Sequence, residues 1–168
     1  MAHYRVGIIG CGRPWKSEGA SGFGMSHFHA RGYADSPHAR IVALSTGNVY
    51  PLVPVQSGGA VESDALTPLG EYANAAVARE RLFEFHSRQG GTRVALLRLN
   101  YAVELRYGVL VDIAQKVLAG QAVDVTMGFL NCIWQGDANE FILRALAHAG
   151  SPPTVLNLTG PRALSVRE

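Results

Sequence analysis

The sequence predicts a parallel α/β domain, and three observations predict it. Apolar, strand-like runs at 4–9, 39–44, 93–99 and 154–158 are separated by stretches with helical spacing, the alternation that parallel sheets require. The first run passes at once into Gly10-Cys11-Gly12, a tight turn directly after a buried strand. The chain has 168 residues and 19 glycines, the size of one domain with many close βα turns.

The elements follow in order. Tyr4-Arg5-Val6-Gly7-Ile8-Ile9 reads as a buried strand. Residues 13–24 are loop-like, and Met25 to Ala34 forms a short helix. Ser36-Pro37 stops that helix, because the residue before proline is pushed out of the α region. Ala39 to Leu44 is the second strand. Residues 45–68 hold Pro51, Pro54, Gly58, Gly59 and Pro68 and read as one long loop, which in a compact domain is usually functional. Leu69 to Ser87 is a helix, with Tyr72, Ala76, Val77 and Phe83 on one face and Glu71, Arg79, Glu80 and Arg88 in solvent; Gly90-Gly91 ends it. Thr92 to Leu99 is a strand, Val109 to Leu118 a helix stopped by Gly120, and Val123 to Met127 a short strand. Asp137 and Glu140 have capping-box spacing and open a helix to Ala149. After the turn Ser151-Pro152-Pro153, Thr154 to Leu158 is the last strand.

Composition excludes several classes. The 15 basic and 13 acidic residues are scattered and leave a net charge of +2, so no clustered basic face marks a nucleic-acid partner. No apolar run approaches the ~18 residues of a membrane span. The first residues enter a strand without a signal-peptide pattern, so a cytoplasmic protein with no membrane partner is expected. Cys11 and Cys132 make neither a disulfide framework nor a zinc site, and His27 and His29, two apart, diverge on a helix; no metal is expected. Cys11 reads as a small buried residue rather than a nucleophile, and Trp134 as core.

In a dinucleotide-binding turn the first glycine permits the bend and the second lets backbone approach a pyrophosphate. Gly7, Gly10, Cys11 and Gly12 are therefore the candidate cofactor-binding positions, against the plainer reading of an ordinary βα turn. A third glycine would fall at Trp15; an insertion would displace the helix start to Gly22-Phe23-Gly24. The carboxylate that usually follows the second strand is missing. Leu44 runs into Ser45, which offers one hydroxyl where a carboxylate offers two acceptor oxygens.

Residues 3–44 resemble the opening of the Gfo/Idh/MocA oxidoreductases. The matching stretches are Arg5-Val6-Gly7-Ile8-Ile9-Gly10-Cys11-Gly12, Gly24-Met25-Ser26-His27, Ala30-Arg31-Gly32-Tyr33 and Ile41-Val42-Ala43-Leu44. The likeness stops at Leu44, and that family's lysine-containing motif does not follow. From residue 45 on, the chain resembles the extended short-chain dehydrogenase/reductases, the NAD-dependent epimerase/dehydratase group. Ser45-Thr46-Gly47-Asn48-Val49-Tyr50-Pro51 looks like that group's Ser/Thr motif, and Tyr72 opens a helix as its catalytic tyrosine does. Arg98-Leu99-Asn100-Tyr101, Leu118-Ala119-Gly120, Ile133-Trp134-Gln135-Gly136-Asp137, Asn157-Leu158-Thr159-Gly160 and Leu164-Ser165-Val166-Arg167-Glu168 continue in the group's order.

The resemblance implies a Rossmann-like three-layer domain with a reduced, mostly parallel sheet. Residues 1–168 then form a single NAD(P)-binding domain: a Gfo/Idh/MocA-like βαβ unit at 1–44 and a truncated epimerase/dehydratase-like part at 45–168. It also implies hydride exchange with NAD or NADP on a sugar or sugar nucleotide. Thr46 and Tyr72 are the implied catalytic residues and Asn100 the implied substrate-binding one. A strand-end threonine, a packing tyrosine and a turn asparagine are the plainer readings of the three. In that family a lysine four residues after the tyrosine lowers the phenol's pKa and binds ribose. Here that position is Ala76, and Arg79 and Arg81 are too far along the helix to replace it. Gly47-Asn48 stands where dehydratases carry an Asp-Glu pair, so an epimerase or reductase ancestry fits better. An impaired enzyme or fusion remnant with weak cofactor binding is the leading expectation. A Gfo/Idh/MocA-type oxidoreductase and a non-catalytic binding or dimerisation module are the alternatives. A homodimer through the 69–87 helix is expected, because Leu69, Ala73, Ala76, Val77, Phe83 and Phe85 exceed one narrow apolar stripe, against the plainer reading that the loop 45–68 covers them.

Overall fold

The computed structural model describes residues 6–8 and 39–167. In chain order its elements are β1 (Val6–Ile8), β2 (Arg40–Thr46), α1 (Gly70–Gly90), β3 (Arg93–Leu99), β4 (Tyr101–Val103), α2 (Val109–Leu118), β5 (Phe129–Trp134), α3 (Gln135–Ala145), β6 (Thr154–Leu158) and β7 (Ala163–Ser165). The runs expected as strands form one parallel sheet in the order β1-β2-β3-β6. Gly7 pairs with Ile41, Val42 with Ala95, and Leu97 with Leu156. The loop and helix expected at 13–34 lie outside the described residues, as do Gly10, Cys11 and Gly12.

The central strands are apolar on both faces because both are covered. Ile41, Ala43, Val94 and Leu96 pack against Phe83 of α1. Val42, Ala95, Leu97 and Leu158 pack on the other side with Ala138 and Ala145 of α3. This is a three-layer α/β domain. A second, three-stranded sheet, β4-β5-β7, lies beyond it, with β5 parallel to β4 and antiparallel to β7.

Strand β2 runs two residues past the expected end at Leu44, so Ser45 and Thr46 belong to the sheet. Helix α1 ends where Gly90-Gly91 predicts. Gly91 adopts φ 69°, a left-handed conformation that glycine takes without a Cβ penalty, and its N–H closes the helix on Ser87 O at 2.8 Å. The face of α1 differs from expectation. The buried positions are Ala73, Ala76, Glu80, Phe83 and Ser87, at steps of three and four. Tyr72 is 64% exposed, whereas Glu80 is buried. Phe83 sets the helix phase, which carries Glu80 inward and turns Tyr72 out. Leu69, Leu82 and Phe85 are exposed on the outer side of the same segment.

Two further expectations are corrected. Residues 123–127 form turns: Asp124 accepts from the Thr126 N–H, and Gly128 N–H bonds Val125 O. Such a side-chain-closed turn competes with a ladder, and the strand is β5, just after it. Helix α3 opens at Gln135 with Trp134 as its uncapped N-cap. Asp137 lies in the first turn, where its charge favours the helix N-terminus, and Glu140 pairs with Arg144 one turn on instead of closing a capping box. Trp134 is largely exposed, not core.

Candidate functional site

Because β2, β3 and β6 are parallel, their carboxyl ends share one edge, the edge where open α/β sheets bind ligands. Thr46 closes β2, level with Leu99, which is level with Leu158. Its side chain is buried, and its Oγ1 accepts the Asn48 N–H at 3.2 Å, capping the short 3-10 turn Gly47–Val49. Among the described residues that hydroxyl has no acceptor, so its proton can be donated to a ligand.

Asn100 follows β3 on the same edge. Its N–H donates to Leu158 O at 3.0 Å and its Nδ2 to Thr159 Oγ1 at 3.1 Å. The carboxamide lies directly over Gly47, where an added Cβ would stand 1.8 Å from Asn100 Oδ1. Thr46-Gly47, Asn100 and Thr159 thus form one polar patch from three adjacent strands. Gly47→Ala should push Asn100 off Thr159 at about 1–3 kcal/mol, the range for overpacking a filled site. Asn100→Ala in the same chain should restore most of that loss. Thermal unfolding of the two single variants and the double measures the coupling, and simple additivity would show that the two residues do not contend for one space.

Tyr72 sits in the first turn of α1, which runs back along the sheet, so its N-terminal end lies at the carboxyl edge. The structure brings Thr46 and Asn100 together and places Tyr72 at the same end of the domain. Among the described residues no hydrogen bond joins Tyr72 to Thr46. Ala76 is buried with Val49 and Tyr50, flanked by Ala60, Leu66 and Val77. The position where the resemblance implies a lysine is therefore the middle of an apolar cluster. Gly7 lies within β1 beside Ile41.

The sequence reading missed a buried polar network under this edge. Arg98 donates to Glu80 through Nε at 3.1 Å and Nη2 at 2.8 Å, and to the Tyr50 hydroxyl through Nη1 at 2.6 Å. Tyr50 passes its own proton to Asn157 Oδ1 at 2.8 Å, and Ser45 Oγ donates to Glu80. The guanidinium carbon also lies 4.9 Å from the Tyr50 ring centre. Burial pulls the Arg98 pKa down, but the hydrogen bonds to Glu80 and Tyr50 outweigh it and hold the guanidinium above its ordinary value. Two signals pointed here: a lone charge inside the apolar run 94–99, and a glutamate one turn after Ala76. Strand alternation puts Ser45 and Arg98 on the α1 face and Thr46 on the opposite one.

A cleft of ≈ 690 Å³ opens beside the edge. One wall is the segment 52–59, which continues from Gly47–Val49; the other is formed by 126–131 and the residues after Gly160. Among the described residues no cluster of His, Cys, Asp and Glu could hold a metal. No helix of the described chain is long and apolar enough to cross a membrane.

No protein-family model matches the chain, and no curated protein matches it. Solved structures do. UDP-N-acetylglucosamine 4-epimerase from Bacillus cereus superposes with a TM-score of 0.66 at 18% identity, over 89% of this chain and 56% of that one. UDP-glucose 4-epimerase from Thermus thermophilus, in complex with NAD, gives 0.65 at 22% identity over 82% and 48%. RMD from Pseudomonas aeruginosa, complexed with NADPH, gives 0.64 at 20% identity over 85% and 50%. The chain spans about half the length of the solved structures it matches. The Gfo/Idh/MocA likeness of 3–44 rests mainly on residues outside those described. What this likeness shows is the fold, a mostly parallel Rossmann-like α/β domain of the kind seen in nucleotide-sugar epimerases.

Proposed function

We propose that this chain is an NAD(P)-binding protein of the epimerase/dehydratase type, acting on a sugar or sugar nucleotide with an impaired proton-transfer device. The observation that carries the reading is the placement of Thr46-Gly47 and Asn100 side by side at the carboxyl edge of the sheet, the end of the domain at which the Tyr72 helix begins. The NAD and NADPH complexes among its structural neighbours support the same cofactor.

The described residues fit such a cofactor in part. The edge offers a hydroxyl and a carboxamide, but Ala76 supplies no cation. When bound, the nicotinamide takes up and returns hydride. Thr46, its lone pair engaged by Asn48, donates its proton to a substrate oxygen and fixes that oxygen in place. Asn100, held by Thr159, is oriented to hydrogen-bond a neighbouring hydroxyl. Tyr72 is the proton carrier, and Ala76 stands where the resemblance implies the lysine that would assist it. Cytoplasmic location and a homodimer through the outward side of α1 belong to this proposal.

A lost charge-assisted hydrogen bond is worth ~1.5–3 kcal/mol, so NADH should bind roughly 10–100-fold more weakly than at a site with the lysine. Fluorescence titration with NADH measures this, and no saturable binding up to millimolar concentration would overturn the cofactor assignment. Tyr72→Phe should leave NADH affinity unchanged while lowering any turnover by about 10²–10⁴-fold. Equal turnover in the two proteins would remove Tyr72 from the chemistry, and no turnover in either would favour the non-catalytic module.

A further inference from the structure

The cleft beside the catalytic edge carries information on the substrate. Its volume, ≈ 690 Å³, suits ligands from a simple glycoside to a nucleotide sugar, since small-molecule sites span about 300–1,000 Å³. Charge discriminates between them. No Lys, Arg, Asp or Glu occurs among the described residues that line it. Leu52, Val53, Val55, Met127 and Phe129 present exposed apolar surface there, and Gln56, Thr126 and Asn131 are the neutral polar groups.

A diphosphate bound in a cleft needs guanidinium or ammonium partners, or free backbone N–H groups. Two backbone donors of lining residues are already engaged: Gly58 N–H on Val55 O and Phe129 N–H on Met127 O. Beside the 126–129 wall the Asp124 carboxylate accepts the Thr126 N–H at 2.9 Å, and Lys116 acts on it electrostatically. That hydrogen bond holds its pKa below the ordinary value, so it is ionised at neutral pH. Arg162 falls between two lining residues but is exposed and does not line the cleft.

We infer that the cleft receives a neutral, partly apolar hydroxyl compound, such as an aryl or alkyl glycoside, and not a nucleoside-diphosphate sugar. The inference rests on the catalytic edge proposed above and selects the sugar over the sugar nucleotide within it. An apolar aglycone would lie along Leu52, Met127 and Phe129, and sugar hydroxyls would meet Gln56, Thr126 and Asn131.

The test uses the whole chain with ¹³C-methyl-labelled methionine, the Met127 resonance being assigned through Met127→Leu. Phenyl β-D-glucoside should shift that resonance saturably, and UDP-glucose should bind at least about tenfold more weakly, ~1.4 kcal/mol. Met127→Arg should reverse the order by adding a phosphate partner. UDP-glucose binding as tightly as the glucoside in the unmodified protein overturns the inference, and loss of that binding in Arg162→Ala would name the cation responsible. Failure of both compounds to move Met127 overturns it as well. NADH binding, read separately, keeps the two proposals apart. Glucoside binding without NADH binding would leave the cleft assignment standing and remove the hydride reading.

Discussion

Glu80→Ala should unfold most of the protein's stability. It leaves the Arg98 guanidinium buried with its main partner gone, and removing one member of a buried pair costs about 3–5 kcal/mol. Both side chains are only 6% exposed, so solvent screens the pair little. Whole domains are stable by about 5–15 kcal/mol, so this one change consumes a large share. Urea unfolding measures it. Arg98→Met should be comparably damaging, because it strands the Glu80 carboxylate. The double variant Glu80→Met with Arg98→Met should be more stable than either single one, since an apolar pair of similar volume can replace a buried ion pair at little cost. A loss below about 1 kcal/mol for Glu80→Ala, the range of an exposed pair, would mean that the side chains reach solvent.

The second large effect is expected at Gly160. A Cβ there would stand 2.0 Å from Cys132 O and 3.1 Å from Cys132 C, in the backbone of β5. Unlike the carboxamide over Gly47, a strand backbone cannot swing aside. Gly160→Ala must move the chain leaving β6 away from β5, at or above the upper end of the ~1–3 kcal/mol usual for overpacking. At this chain length that lowers Tm by on the order of 6–12 °C. Thr159 moves with Gly160, so Asn100 should lose its hydrogen bond as well. Calorimetry checks the first part, and the Asn100 side-chain amide resonances check the second. A Tm within 2 °C of the unmodified protein would show that the two sheets are not in contact at this point.

How much of this was legible in the sequence depends on how far each signal is local. The four parallel strands were readable because they are nearly unbroken apolar runs, and 109–118 because its apolar spacing is helical from end to end. Strand β5 was not, because its half-buried pattern, with Leu130 and Ile133 in and Phe129 and Trp134 out, has no clean period of two. The apolar residues at 123 and 125 drew the assignment instead, and the Asp124 turn defeats them. The placement of Thr46 and Asn100 on one edge followed from parallel topology alone. Glu80 was read as solvated because a glutamate on a helix is usually wet. Its partner Arg98 is eighteen residues away, and only the fold brings the two together.

Ala76 has a consequence of a different kind. Its methyl group is enclosed by Val49 and Tyr50, with Ala60 and Leu66 closing the outside. Putting a lysine there would thread four methylenes through packed side chains and strand an amine among apolar groups. A lysine at position 76 is thus reached through a less stable intermediate, not in a single step. Laboratory selection for turnover would have to cross that valley by opening the cluster first, with smaller residues at Val49 or Leu66 preceding any cation at position 76.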